Sequence, residues 1–324
     1  MPKKIPALDP SEIRSALPSS SYFESIRARL TEVAQLRSDG VKTLGCPTGF
    51  GLIDEKCSGL QVGLHLLGAE AGAGKTTFAS QLAYETARQG YPCLFITFEE
   101  TPQRLILKRL CAIANVPFSE IERGARSPDS MYGVMDANRP EFDLVKNIDG
   151  TLYDEKSSLS IKDIQSQMES LLAVHNARTG LIVVDYLQVW AMRRVVGGEY
   201  RQAVDELIGQ LRHLAIQTNC AVLAISPQNR DGAGEAKMSS LRESSHLEYS
   251  ADSVMFLTQD KERIAPFGCK SITLTFRKNR FGENNIKTDL IFDGAMNSFT
   301  DSDNLSFAVE RSQRDYGKAG KRHG

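Results

Sequence analysis

The run Gly68-Ala69-Glu70-Ala71-Gly72-Ala73-Gly74-Lys75-Thr76-Thr77 constrains this chain more than any other stretch. It follows the apolar segment Leu64-His65-Leu66-Leu67 and precedes Phe78-Ala79-Ser80-Gln81-Leu82-Ala83, which reads as the opening turns of a helix. Strand, glycine-rich loop and helix in that order specify a phosphate-binding loop rather than a flexible turn with a surface lysine. Small residues let backbone N–H groups curl round a polyphosphate, and the helix N-terminus adds partial positive charge. The expected nucleotide contacts are therefore Ala69, Glu70, Ala71, Gly72, Ala73, Gly74, Lys75, Thr76 and Thr77. Lys75 would neutralise the β- and γ-phosphates and the Thr76 hydroxyl would ligand Mg²⁺, which makes ATP and Mg²⁺ the expected cofactors. One departure is visible: Ala69 stands where the pattern places its first glycine, and Gly68 comes one position early.

At 324 residues the chain has room for one large α/β domain or two smaller ones. Apolar residues at 41% and charged residues at 24% are those of an ordinary globular protein. No apolar run approaches the length of a membrane span, and Met1-Pro2-Lys3-Lys4-Ile5-Pro6 lacks a signal-peptide core. Six cysteines without a CxxC pair predict reduced, buried thiols rather than a metal site, and with them a cytoplasmic location. The net charge of −1 is not that of a strongly basic nucleic-acid binder. A ring-shaped oligomer, however, needs positive potential only along its inner channel.

Three regions are expected: an N-terminal helical arm at 1–42, a catalytic domain at 43–300, and a disordered polar and basic tail at 301–324. In the arm, Asp9-Pro10-Ser11-Glu12 starts one short helix, and Ser21-Tyr22-Phe23-Glu24 is a capping box for a second. The second helix sets Phe23, Ile26, Leu30 and Val33 on one stripe, which must dock on its own domain or on a neighbouring subunit. Beyond Thr43, apolar β-rich runs at 64–68, 93–98, 181–185, 220–226, 254–258, 271–276 and 288–292 alternate at first with helical stretches at 102–114, 161–176 and 199–217. That alternation predicts an α/β fold, a mostly parallel sheet flanked by helices. The later strands follow one another without long helices, which predicts an antiparallel extension at one edge.

Leu181-Ile182-Val183-Val184-Asp185 reads as a buried strand whose aspartate emerges at its C-terminal end, where ligands bind in open α/β sheets. Asp185 is the expected magnesium carboxylate. Because Tyr186 follows it, the catalytic base must come from elsewhere, and Phe95-Ile96-Thr97-Phe98-Glu99-Glu100 supplies one at the same sheet edge. Glu99 would orient and deprotonate the attacking water, while Glu100 would cap the helix beginning at Pro102. Ala221-Val222-Leu223-Ala224-Ile225-Ser226 leads into Pro227-Gln228-Asn229-Arg230, where the Gln228 amide could sense a γ-phosphate.

Taken in order, GAEAGAGKTT, ITFEE, LIVVDYLQVW, LAISPQNR, SSLRESSHLEYSADSVMF and FRKNRFG resemble the RecA-like motor domain of DnaB-type replicative helicases over roughly residues 43–300. The resemblance implies a ring, usually a hexamer, that hydrolyses ATP at subunit interfaces and moves on single-stranded DNA during replication. It implies that Lys278 and Arg280 reach the γ-phosphate held by the adjacent protomer. DNA contacts map onto Arg193 and Arg194 in a loop running to Tyr200, and onto Arg242, Glu243 and Ser245, with Lys237 an extra cation nearby. Here Pro227 replaces the family's glutamine and displaces Gln228 by one place, and Ser245 replaces a glycine. Only about forty residues precede the motor, so the family's N-terminal helical domain is expected to be absent, and a helicase loader or primase stands as a candidate partner. The competing reading is another RecA-superfamily ATPase, a recombination factor or a KaiC-like regulatory ring, without strand-separating activity.

Overall fold

Continuous apolar runs such as Leu181-Ile182-Val183-Val184 and Ala221-Val222-Leu223-Ala224-Ile225 are those of strands buried on both faces of a sheet. The computed structural model describes residues 22–38, 40, 43–152, 159–194, 200–228, 250–266 and 268–302. The expected helix after Asp9, the polar tail from 303 and the DNA-contacting stretch at 230–245 lie outside those residues. The chain divides into two compact units, Met1–Leu44 and Gly45–Gly324.

In the first unit, helix α1 (Phe23–Ser38) forms where the capping box and the helical spacing place it. Phe23, Ile26 and Leu30 are exposed on it.

The second unit is built on a nine-stranded sheet of order β3-β2-β4-β5-β1-β6-β7-β8-β9. The parallel strands are β1 (Gly63–Ala69), β2 (Cys93–Thr97), β3 (Val145–Asp149), β4 (Leu181–Asp185), β5 (Ala221–Pro227) and β6 (Ser253–Gln259). The antiparallel edge consists of β7 (Cys269–Asn279), β8 (Lys287–Asp293) and β9 (Ser298–Asp301). Both the mostly parallel sheet and its antiparallel extension are as expected. Strands β3 and β9 were not foreseen: Val-Lys-Asn-Ile-Asp and Ser-Phe-Thr-Asp are short and half polar, and they form because a neighbouring strand offers them a ladder.

Side-chain alternation divides the core in two. Leu67, Phe95, Val183, Leu223 and Met255 point to the face covered by Phe78, Ala79 and Leu82 of helix α3 (Lys75–Arg88). Leu66, Leu94, Ile182, Val222 and Val254 point to the other face. There they meet α8 (Ile161–Val174), α9 (Leu187–Arg194) and α10 (Tyr200–Thr218). Between these come short helices α2 (Gly51–Lys56), α5 (Phe118–Glu122), α6 (Asp129–Ala137) and α7 (Arg139–Asp143), and the longer α4 (Pro102–Ala114). Ser160 caps α8 reciprocally with Asp163, its N–H donating to Oδ2 at 2.9 Å while its hydroxyl accepts the Asp163 N–H at 3.2 Å. All six cysteines are unbridged; those at 46, 57, 93, 111 and 220 are buried as expected, whereas Cys269, at the start of β7, is only half-buried.

Trp190 on α9 is 1% exposed, stacks on Phe98 at 5.6 Å and donates its Nε1–H to the Leu159 carbonyl at 3.2 Å. It is the chain's one tryptophan. Trp190→Ala is expected to cost about 3–5 kcal/mol, measured by urea unfolding followed by circular dichroism. A loss below ~1 kcal/mol would show that this face can collapse around the gap.

Candidate active site

Parallel strands end together, and here register aligns the chemistry. Gly68 and Ala69 on β1 face Ser226 and Pro227 on β5, Val184 on β4 faces Ala224 on β5, and Thr97 on β2 faces Asp185 on β4. The loop after β1, the carboxylate ending β4 and the two glutamates after β2 therefore share one edge. β5 sits between β1 and β4, and its exit, Gln228, donates its backbone N–H to the Ala69 carbonyl at 3.1 Å.

The loop itself needs glycine for two reasons at one position. Gly74 has φ 86°, and a Cβ there would lie 2.8 Å from Phe299 and 3.0 Å from Phe292. Phe299 is held against the loop by a reciprocal pair: its N–H donates to Gln81 Oε1 at 2.8 Å, and Gln81 Nε2 donates to its carbonyl at 2.9 Å. Lys270 of β7 donates to the Gly72 carbonyl at 2.9 Å. Neither Gln81 nor Lys270 carries a signal in the sequence, because both act through backbone groups more than 190 positions away.

Lys75 opens α3 and donates to the Glu70 carbonyl at 3.0 Å and the Ala69 carbonyl at 3.3 Å. Burial pushes its pKa below the ordinary lysine value, against the opposing pull of Asp185, Glu99 and Glu70. Asp185 is 1% exposed, and neither carboxylate oxygen has a hydrogen-bond partner. Burial raises its pKa to about 7, Glu99 and Glu100 push the same way, and the nearby Thr76 hydroxyl and Lys75 pull it down. A buried, orphaned carboxylate beside a threonine hydroxyl is a hard-oxygen donor set suited to Mg²⁺, which binds through one or two such groups plus phosphates. The residues present therefore fit the expected ion.

Glu99 is exposed at the mouth of this edge. Glu100 does not cap α4 as expected; it lies 3.8 Å from Arg104, one turn along the helix, and pairs with Lys108, two turns along. Thr101 occupies the cap position.

Lys278 and Arg280 lie elsewhere. Asn279 pairs with Ser253, which pairs with His65 near the start of β1, whereas the phosphate loop follows the end of β1. Arg280 Nη1 donates to Asp252 Oδ1 at 2.9 Å, and its backbone N–H donates to the Asp252 carbonyl at 2.9 Å. Asp252 also accepts Arg212 at 3.2 Å and the Leu64 N–H at 3.0 Å. Burial opposes its charge, but these donors outweigh burial and hold its pKa below the usual carboxylate value. Six residues of extended chain, from Leu64 to Glu70, separate the arginine's anchor from the loop by about 20 Å. Within one copy, the arginine and the phosphate loop sit at opposite ends of the same strand.

Of the expected DNA contacts, residues 192–194 are the last turn of α9 rather than loop. Arg193 donates to the Gly150 carbonyl and lies over the Phe98 ring at 5.6 Å. The Arg194 side chain and Lys237, Arg242, Glu243 and Ser245 are outside the described residues. No described helix is long and apolar enough to cross a membrane.

The family described as DnaB-like helicase C terminal domain matches residues 45–301. The chain is 28% identical over 251 residues to the replicative DNA helicase DnaB of Geobacillus stearothermophilus, covering 74% of this chain and 54% of that protein. It is 29% identical over 224 residues to its counterpart in Pasteurella multocida, covering 67% and 47% respectively. The chain thus spans about half the length of the curated relatives it matches. Among solved structures, the ATPase domain of G40P superposes with a TM-score of 0.71 at 19% identity, over 85% of this chain and 97% of that one. A KaiC-like protein from Pyrococcus horikoshii has a TM-score of 0.51 at 19% identity, over 80% of this chain and 97% of that one. At such identities these likenesses establish the RecA-like fold.

The folded-state pKa of Asp185 lies above its unfolded value, so the folded chain holds this proton until about pH 7. Stability is then lost as pH rises from about 4 through 7. Asp185→Asn is expected to stabilise the nucleotide-free chain by about 1–3 kcal/mol at pH 8, by less at pH 5 and hardly at pH 4, measured by urea unfolding across that range. An effect independent of pH would mean that the carboxylate is not the group titrating.

Proposed function

From the premise that this chain belongs to the DnaB-like helicase C terminal domain family, we propose that it is a ring-forming motor that hydrolyses ATP between subunits and moves on single-stranded DNA during replication. The observation that carries the reading is the separation just described. One copy holds Lys75, Thr76, Asp185 and Glu99 at the sheet's ligand edge and offers Lys278 and Arg280 from the opposite edge. A complete set for phosphoryl transfer then needs two copies, one on each side of the nucleotide.

In this reading the loop N–H groups from Ala69 to Thr77 cradle the phosphates, and Lys75 exchanges its two carbonyl acceptors for β- and γ-phosphate oxygens. Thr76 and Asp185 would hold Mg²⁺, which supplies charge neutralisation on the phosphates when bound. Glu99 orients the attacking water and takes its proton. Gln228, backed onto the loop strand through Ala69, senses the γ-phosphate and passes its loss to the residues that follow. Lys278 and Arg280 of the next copy neutralise charge as it builds on the transferred phosphoryl group. Asp252 braces that arginine from behind, so little ordering is required when the interface closes.

The regions 1–42, 43–300 and 301–324 act as arm, motor and tail. Helix α1 presents Phe23, Ile26 and Leu30, a stripe suited to docking on the next copy of a hexamer. DNA contacts in this reading fall to Arg193, Arg194, Lys237, Arg242, Glu243 and Ser245, and contacts to the DNA backbone carry little sequence information. A loader or a primase is the further partner; a DnaB-like replicative helicase described with its primase interactions superposes with a TM-score of 0.69 at 19% identity, over 85% of this chain and 66% of that one.

Arg280→Ala is expected to lower ATP turnover by about 10³–10⁵ with nucleotide affinity unchanged. Lys75→Ala is expected to be inactive through lost phosphate binding. Mixing the two inactive variants should restore hydrolysis, because some interfaces then join an intact loop to an intact finger. No recovery in assembled mixtures, or normal turnover by Arg280→Ala alone, rejects the shared site. Hydrolysis stimulated by single-stranded DNA but without strand displacement would favour a non-unwinding ATPase of the same fold.

A further inference from the structure

Asp252 serves two cations, and the chemistry proposed above uses only one of them. Its Oδ1 accepts Arg280 Nη1 at 2.9 Å, from just beyond β7, and Arg212 Nη2 at 3.2 Å, from α10. Its Oδ2 accepts the Leu64 N–H at 3.0 Å, so both oxygens are taken. The carboxylate is also wedged in place, since a Cβ on Gly63 would lie 2.7 Å from Oδ2.

Exposure separates the three groups. The Asp252 side chain is 11% exposed, whereas those of Arg212 and Arg280 are 41% and 43% exposed. One inward carboxylate therefore carries two cations at the surface. Arg212 is not an ordinary solvated charge, because its Nε is buried without a hydrogen-bond partner. Lost hydration of that kind is unfavourable, and the contact with Asp252 offsets it. Burial opposes ionisation of Asp252; the Leu64 N–H and Arg212 come ahead of Arg280 in holding its pKa below the usual carboxylate value.

The charge count then matters. A lone guanidinium on a carboxylate forms a neutral pair with little pull on a neighbour's phosphate. Two guanidiniums on one carboxylate leave a positive charge uncompensated, and each weakens the other's hold by repulsion. We propose that Arg212 is a positioning residue for the finger: by sharing Asp252 Oδ1 it keeps the carboxylate aimed at Arg280 and leaves that guanidinium anchored without being neutralised. This inference rests on the shared-site reading. Arg212 touches no nucleotide and acts through Arg280, whose contribution grows as charge builds in the transition state. Its loss therefore lowers kcat and leaves KM alone.

The test uses the full chain with Arg212→Met, which keeps the stem without the charge, and Arg212→Lys, which keeps the charge without the fork. With single-stranded DNA and Mg²⁺ present, Arg212→Met is expected to lower kcat for ATP by about fivefold at unchanged KM, the size of one partly exposed ion pair. Arg212→Lys should recover most of that loss. A second measurement dilutes Arg212→Met, and separately the parent chain, with the inactive Lys75→Ala chain, whose finger is intact. The ratio of Arg212→Met to parent turnover should rise toward unity as the diluent grows, because more loops then meet an intact finger. A constant ratio would place the effect of Arg212 inside its own copy and overturn the proposal. Unchanged kcat, a rise in KM at constant kcat, or Arg212→Lys no better than Arg212→Met would overturn it too. So would an Arg212→Met chain that lacks the parent's circular dichroism, by making the residue structural. If Arg280→Ala turns over at the parent rate, the shared-site reading fails instead.

Discussion

Burying Asp185 among apolar strands, with both oxygens unpaired, is the constraint around which the rest of this domain is arranged. An isolated carboxylate in such a place costs several kcal/mol or takes up a proton, and here the pKa rises to about 7. The group is tolerable because Lys75 sits across from it on the first turn of α3, and that lysine is itself partly starved of water. Each charge offsets part of the other's desolvation; Lys75 has two carbonyl acceptors, whereas the Asp185 oxygens have no hydrogen-bond partner. A site of this kind is poised to accept a polyanion and a divalent cation together, which supply what both groups lack.

That poise is held by contacts remote in sequence. Gly74 takes its left-handed conformation beneath Phe299 and Phe292, which leave no room for a Cβ, and Gln81 holds Phe299 there by gripping the backbone of β9. The antiparallel edge is thus more than an appendage to the parallel sheet. Its far end roofs the phosphate loop, and the other end of β7 carries Arg280 to the opposite edge. β1 joins the two places: Leu64 donates to Asp252, which grips Arg280, and Ala69 leads into the loop. One wholly buried strand thus joins the phosphate loop to the Asp252–Arg280 pair.

Much of the site was legible because its chemistry is local. Glycine spacing and a Lys-Thr pair describe a loop whose geometry is fixed within ten residues, and apolar runs ending in acid describe strands that emerge at a ligand edge. Gln81, Lys270 and Asp252 gave no such signal. Their roles depend on partners brought near by the sheet. Glu100 shows the same limit in reverse: its position suggested a helix cap, but two basic side chains along α4 offered a stronger interaction than a backbone N–H. Strands β3 and β9 were missed because their residues are indifferent strand formers that need a neighbour's ladder.

By itself the sequence determined the fold class, the phosphate loop and the pairing of Lys75 and Thr76 with Asp185 and Glu99, since hydrophobic periodicity and glycine geometry are properties of short stretches. Only the tertiary structure decided which edge of the sheet each charged group occupies. Register and strand order put Arg280 about 20 Å from the phosphate loop and seated its guanidinium on Asp252. Those outcomes follow from long-range pairing, where one strand's neighbours, and not its own residues, fix what its ends can reach.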